Sequence, residues 1–199
     1  MQNQRFTQFF AAFALAIAFN SCWFGYSDES VLRKEFNIPH NAEVLSYEAY
    51  PKESAVMREG LKIEIIFQLS DDDFQNYTAQ TATVPDWTPL PIPEDFLRRM
   101  ASIETRKRWV VERYEKLGEP LPPEGSIYNP TEQQRMKKFV ASLPPQPING
   151  VFQIRTAGTD IMNEPKTMYR QPNRDLNDFM LAMVDTDQKQ IIIKVSTSY

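Results

Sequence analysis

Nucleophilic and metal chemistry in proteins draws heavily on histidine and cysteine, and this chain of 199 residues holds one of each, His40 and Cys22. His40 follows Pro39, where the chain turns into a loop. No Gly-x-Ser-x-Gly elbow exists to pair with it, and a zinc or copper site would need a second histidine or cysteine beside it. Carboxylates are plentiful, but their spacing is not that of a calcium loop, which alternates oxygen ligands around a turn glycine. Asp71, Asp72 and Asp73 follow Ser70 and read as the capped, acidic first turn of a helix, where the helix dipole is positive. Asp185 and Asp187 flank a turn, the ordinary place for aspartate. Glycoside hydrolysis would need two carboxyls about 5–9.5 Å apart across a cleft, and no pair is singled out by spacing. No metal and no cofactor is expected.

Two other features bear on binding. Arg98, Arg99, Arg106, Lys107, Arg108, Arg113 and Lys116 form a basic cluster in a chain whose formal net charge is −4. It could meet anionic lipid headgroups or a polyanionic glycan. Glu94, Asp95, Glu104, Glu112 and Glu115 interleave with it, so a solvated helix face carrying i,i+4 pairs is the plainer reading. Trp87 and Leu90 lie in the proline-rich stretch at residues 84–93, either as an exposed recognition surface or as a strap buried across a sheet. Trp87, Leu90, Arg98 and Arg99 are the candidate partner-binding residues.

The elements that must position these groups follow from periodicity. Residues 61–69 alternate strictly, with Leu61, Ile63, Ile65, Phe67 and Leu69 on one face and Lys62, Glu64 and Gln68 on the other, the mark of a half-buried strand. Residues 43–50 form a second strand, with Leu45, Tyr47 and Ala49 opposed to Ser46 and Glu48. Residues 151–156 and 166–170 pair across a loop, and residues 179–185 and 190–197 form a hairpin. Helices are expected at residues 30–36, from Ser70 onward with Phe74 and Tyr77 or Thr78 facing the sheet, and over 94–106 with Phe96, Leu97, Met100 and Ile103 inward. A further helix at 131–142 buries Met136, Phe139 and Val140. Residues 109–116 are open between helix and strand. The fold class is α+β: an antiparallel sheet of about five or six strands with two or three helices packed on one face. The 15 prolines bunch in the connections, which implies stiff loops.

The first residues carry an address. A short polar segment with one positive charge, Arg5, precedes an unbroken apolar run over residues 9–19. That length fits a signal-peptide core and falls short of the roughly 20 residues of a stable membrane span. Asn20 and Ser21 break the run and Cys22 follows at once. The segment Phe19-Asn20-Ser21-Cys22 resembles the lipobox of a bacterial lipoprotein precursor, with the small residue Ser21 before the cysteine. The resemblance covers residues 1–22 and implies cleavage before Cys22 and lipid on its sulfur. Because position 23 is Trp and not Asp, it also leans towards the outer membrane. Cleavage inside the apolar core near Ala14-Leu15-Ala16, an uncleaved anchor and a buried helix are the competing readings.

The expected organisation is a signal peptide at residues 1–21, a lipidated cysteine and tether at 22–40, and one α+β domain at 41–199. Removing Arg5 with the signal peptide takes the net charge from −4 to −5, which argues against a nucleic-acid partner. The expected partners are a membrane, through the lipid, and another envelope protein. The expected function is binding or structural work in the cell envelope, facing the periplasm. The alternative is a periplasmic hydrolase of glycan or peptide using a carboxylate pair.

Overall fold

The computed structural model describes residues 28–50, 60–157 and 161–197. The expectations for Cys22 and the signal segment lie outside the described residues. The chain divides into two compact units, residues 1–38 and 39–199. In the first, helix α1 (Asp28–Glu35) carries acids in its first turn and bases in its last, and Glu29 accepts from Arg33 Nε at 2.7 Å across one turn.

The second unit is α+β, built on an antiparallel sheet. Its long strands are β1 (Glu43–Tyr50), β2 (Lys62–Gln68), β4 (Gly150–Thr156), β6 (Phe179–Asp185) and β7 (Gln190–Ser196). Two-residue strands β3 (Thr88–Pro89) and β5 (Thr167–Met168) both pair with β4, and the order across the sheet is β1-β2-β7-β6-β4-β3. The expected hairpin forms from β6 and β7, and the expected pairing of residues 151–156 with 166–170 survives as the short β4–β5 ladder.

Register makes two apolar layers. On one face Ile63, Ile65 and Phe67 of β2 oppose Val195, Ile193 and Ile191 of β7, which in turn oppose Met180, Ala182 and Val184 of β6. All nine side chains are buried. On the other face Phe152, Ile154, Phe179, Leu181, Met183 and Ile192 form a core with Ile92, Met100, Tyr169 and Leu176. The seven residues of β6 therefore include only one, Asp185, that is not buried, which makes it the central strand.

Helix α3 (Glu94–Met100) closes this second face with Phe96, Leu97 and Met100, and helix α5 (Glu132–Val140) adds Phe139. The ring of Phe96 stands edge-on to Phe152 and Tyr169, at 5.9 and 5.8 Å between centroids. Helix α2 (Asp71–Thr83) starts at Ser70, whose hydroxyl accepts from Asp73 N as the sequence implied, and it buries Tyr77. Burial pushes the Tyr77 phenol up, and the nearby Arg155 guanidinium opposes this. Because Arg155 points to the face opposite Ile154, α2 is turned towards the first apolar layer.

Three details differ from the expectations. The helix expected over 94–106 is two helices, α3 and α4 (Ile103–Leu117), and α4 takes in the open residues 109–116. Between them Ser102 is left-handed at φ 52°, held by its buried hydroxyl donating to Leu176 O. A bulge between Val44 and Ser46 takes Leu45 out of the alternation with Tyr47 and Ala49. Val140 is 42% exposed instead of buried, because the α5 face turned to the core carries Phe139 and Val140 sits one position further round the helix.

Candidate functional site

A recess lies where α3, α4 and α5 meet the sheet. Its floor is the end of the sheet where β6 and β2 begin and β7 ends: Ser196 is opposite both Lys62 and Phe179, and Lys194 is opposite Glu64 and Leu181. Thr197 continues the floor, tied to Leu61 by paired bonds of 2.7 and 2.9 Å. Gly60 is required beside it, since a Cβ there would overlap the Thr197 carbonyl. One wall is the α3–α4 junction, from Met100 through Ser102 to Arg106, and the facing wall is α5 and its exit, from Gln134 to Leu143. The turn at residues 125–130 forms the rim. It is closed by Gly125 N donating to Asn129 O at 2.7 Å and by Asn129 Nδ2 donating to Pro122 O at 2.9 Å. The enclosed volume is about 590 Å³, the size of a small-molecule site.

Among the described residues five basic side chains line this pocket, Lys62, Arg106, Arg135, Lys138 and Lys194, and no Asp or Glu does. Lys194 is paired, reaching Glu64 at 3.1 Å. Among the described residues no carboxylate pairs with the other four. Arg135 is the unusual one. Its Nε donates to Pro130 O at 3.1 Å, which ties α5 to the rim, while its Nη2 is buried without a hydrogen-bond partner among the described residues. Burial, then the charge of nearby Arg106, pull the Arg135 pKa down. A buried N–H without an acceptor is costly. Phe139, Leu143, Leu176 and Phe179 give the same pocket an apolar side, and Ile127 on the rim is 86% exposed.

The residues nominated from sequence lie elsewhere. Trp87 is half-buried and stands edge-on to Tyr77 at 6.4 Å. Leu90 packs against the helix-covered core, and its N–H donates to Gly150 O at 3.0 Å. Arg98 reaches Glu104 at 2.9 Å and also pairs with Glu132, while Arg99 donates to Pro172 O at 3.2 Å and Asp175 at 3.3 Å. Their partners differ, and none of the four lines the pocket. Lys107 reaches Glu132 at 3.1 Å and Arg113 lies 5.4 Å from the Trp109 ring, as befits a solvated helix face. Of the basic cluster, Arg106 alone turns into the pocket.

The remaining candidates have local duties. His40 is exposed. Asp71 pairs with Lys189 at 2.5 Å, Asp73 accepts from Asn41 at 2.6 Å, and Asp185 Oδ1 accepts from the amides of Asp187 and Gln188, both at 2.9 Å. Among the described residues no group of three or more His, Cys, Asp or Glu converges as for a metal, and no helix is long and apolar enough to cross a membrane. No protein-family model, curated protein or solved structure matches the chain.

Sequence reasoning missed the pocket because its residues come from six separated segments. A trace of it exists in β7. The face carrying Ile192 continues as Lys194 and Ser196, so the strand passes from core to a polar lining on one side only.

Proposed function

We propose that the chain is a lipid-anchored protein of a bacterial cell envelope whose folded unit binds a ligand in the basic pocket. The observation that carries the binding role is the charge pattern there. In a net-acidic chain, five basic side chains line one recess without a carboxylate on its wall among the described residues. Folding alone gains nothing from collecting like charges, whereas an anionic ligand would turn their repulsion into attraction. Cys22 supports the anchor: it is the single cysteine, and it stands just past the apolar run, after Asn20 and Ser21. Acyl chains on it would hold the protein at a membrane, since each buried methylene contributes about 0.8 kcal/mol. Residues 23–40 would then serve as the tether, and the outer membrane is the favoured address. The hydrolase alternative would need a carboxylate pair, and among the described residues none lines the pocket.

Native mass spectrometry of the full chain extracted from cell membranes tests both parts. Acyl mass on a chain beginning at Cys22, absent from Cys22→Ser, is the expected sign of the anchor, and an unmodified chain beginning at Met1 would end that part. A noncovalent adduct on the wild type, missing from Arg106→Glu/Lys138→Glu, is the expected sign of the pocket. An adduct retained by that variant would end the other part.

A further inference from the structure

We infer that the ligand of this pocket is an amphipathic anion, a phosphate or carboxylate borne on an apolar chain or ring, with its anionic group on Arg135 and Arg106. This deepens the binding role proposed above and rests on it. Three observations set the ligand's two ends. Arg135 lines the recess while its Nε donates to Pro130 O, so its guanidinium is held in place at the pocket wall. An oxygen anion is the group that a guanidinium at a pocket wall holds, and charge-assisted bonds of this kind are the strong ones. Arg106 and Lys138 on the walls and Lys62 on the floor add positive charge from different elements, so the field converges on the recess.

The third observation fixes the other end. A site built for free phosphate would be polar throughout, yet Phe139, Leu143 and Phe179 form one side of this pocket. Ile127 stands almost fully in solvent on the rim, beside Tyr128 at 69% exposure, on a turn held rigidly by backbone bonds. Apolar side chains around a recess are what an apolar tail would cover on binding. The volume of about 590 Å³ admits a headgroup with a short chain or ring, leaving any longer chain to run out past Ile127. Such an anion comes from two sources, a membrane lipid or a soluble metabolite, and the same side chains would grip either.

Calorimetric titration of the full chain in zwitterionic lipid nanodiscs, against empty nanodiscs, tests the inference with hexyl phosphate, inorganic phosphate and hexyltrimethylammonium. Hexyl phosphate should bind about tenfold or more tightly than inorganic phosphate, because only it buries methylenes. Arg106→Gln, at an exposed position where the fold is not at stake, should weaken it about tenfold. Hexyltrimethylammonium should not bind. If it binds as well as hexyl phosphate, the pocket is only an apolar groove and the inference fails. If inorganic phosphate binds equally well, the pocket still binds anions as proposed, but the amphipathic ligand is wrong. If hexyl phosphate fails to bind, or binds Arg106→Gln unchanged, the inference is overturned at its charged end. Repeating the titration in nanodiscs containing phosphatidylglycerol separates the sources: lost binding marks the lipid as the occupant, and retained binding marks a soluble ligand.

Discussion

Arg135 is the residue on which the account turns, and little in its own sequence context announces it. Thr131 to Val140 reads as a capped amphipathic helix, and the cap is real: Thr131 and Gln134 satisfy each other's backbone amides at 3.2 and 2.8 Å. The inward stripe expected from Met136, Phe139 and Val140 is only partly realised, since no residue of α5 is fully buried. The polar residue between the cap and that stripe was free to be either surface or lining, and only the tertiary fold decides. Its energetics make a test. Arg135→Met loses the bond to Pro130 O, worth about 1 kcal/mol, but relieves a buried unsatisfied donor costing about 1–3 kcal/mol. The urea midpoint should therefore stay level or rise while anion binding falls. A midpoint lowered as by loss of a structural ion pair would assign Arg135 to stability instead.

Elements were legible where alternation or capping is local, and obscure where a tertiary contact chooses. The strict alternation of residues 61–69 fixed β2, and the Ile191–Val195 pattern fixed β7, because period two has one solution when one face must be dry. The break between α3 and α4 had no such signature. A left-handed serine is strained, and what holds it is a carbonyl 74 residues away in sequence, Leu176 O. The three helices that wall the pocket are joined instead by Glu132, which takes Arg98 from α3 and Lys107 from α4. The hydrogen bond from Lys107, then the charges of Arg98 and Lys107, hold its carboxyl below the usual range. A depressed carboxylate contributes stability that is fully present above its unfolded value and lost as pH falls through its folded value. Glu132→Gln should cost about 0.5–1 kcal/mol near neutral pH, small because the pair is partly exposed. In urea titrations the gap to wild type should close in acid. A gap that persists there would mean that packing, not charge, joins the helices.

At the scale of the whole molecule, charge is segregated. A chain carrying a net charge of −4 gathers five cations around one pocket and answers only Lys194 with an acid, Glu64, among the described residues. The basic cluster seen in the sequence was split by the fold. Arg98, Arg99 and Lys107 entered ion pairs, and Arg106 joined cations from β2, β7 and α5 that lie far from it in the chain. Antiparallel topology does this by bringing the start of β2 beside the end of β7, a meeting of residues 62 and 196 that no local pattern encodes. The anchor proposed for Cys22 would hold the protein at a membrane, where amphipathic anions are at hand. The most direct test of the central claim is a crystal structure of the chain grown with hexyl phosphate. An anion oxygen within hydrogen-bond distance of the Arg106 guanidinium, with the hexyl chain against Phe139 and Phe179, is the predicted result. A guanidinium satisfied by a protein carboxylate, with the recess closed around it, would contradict the account.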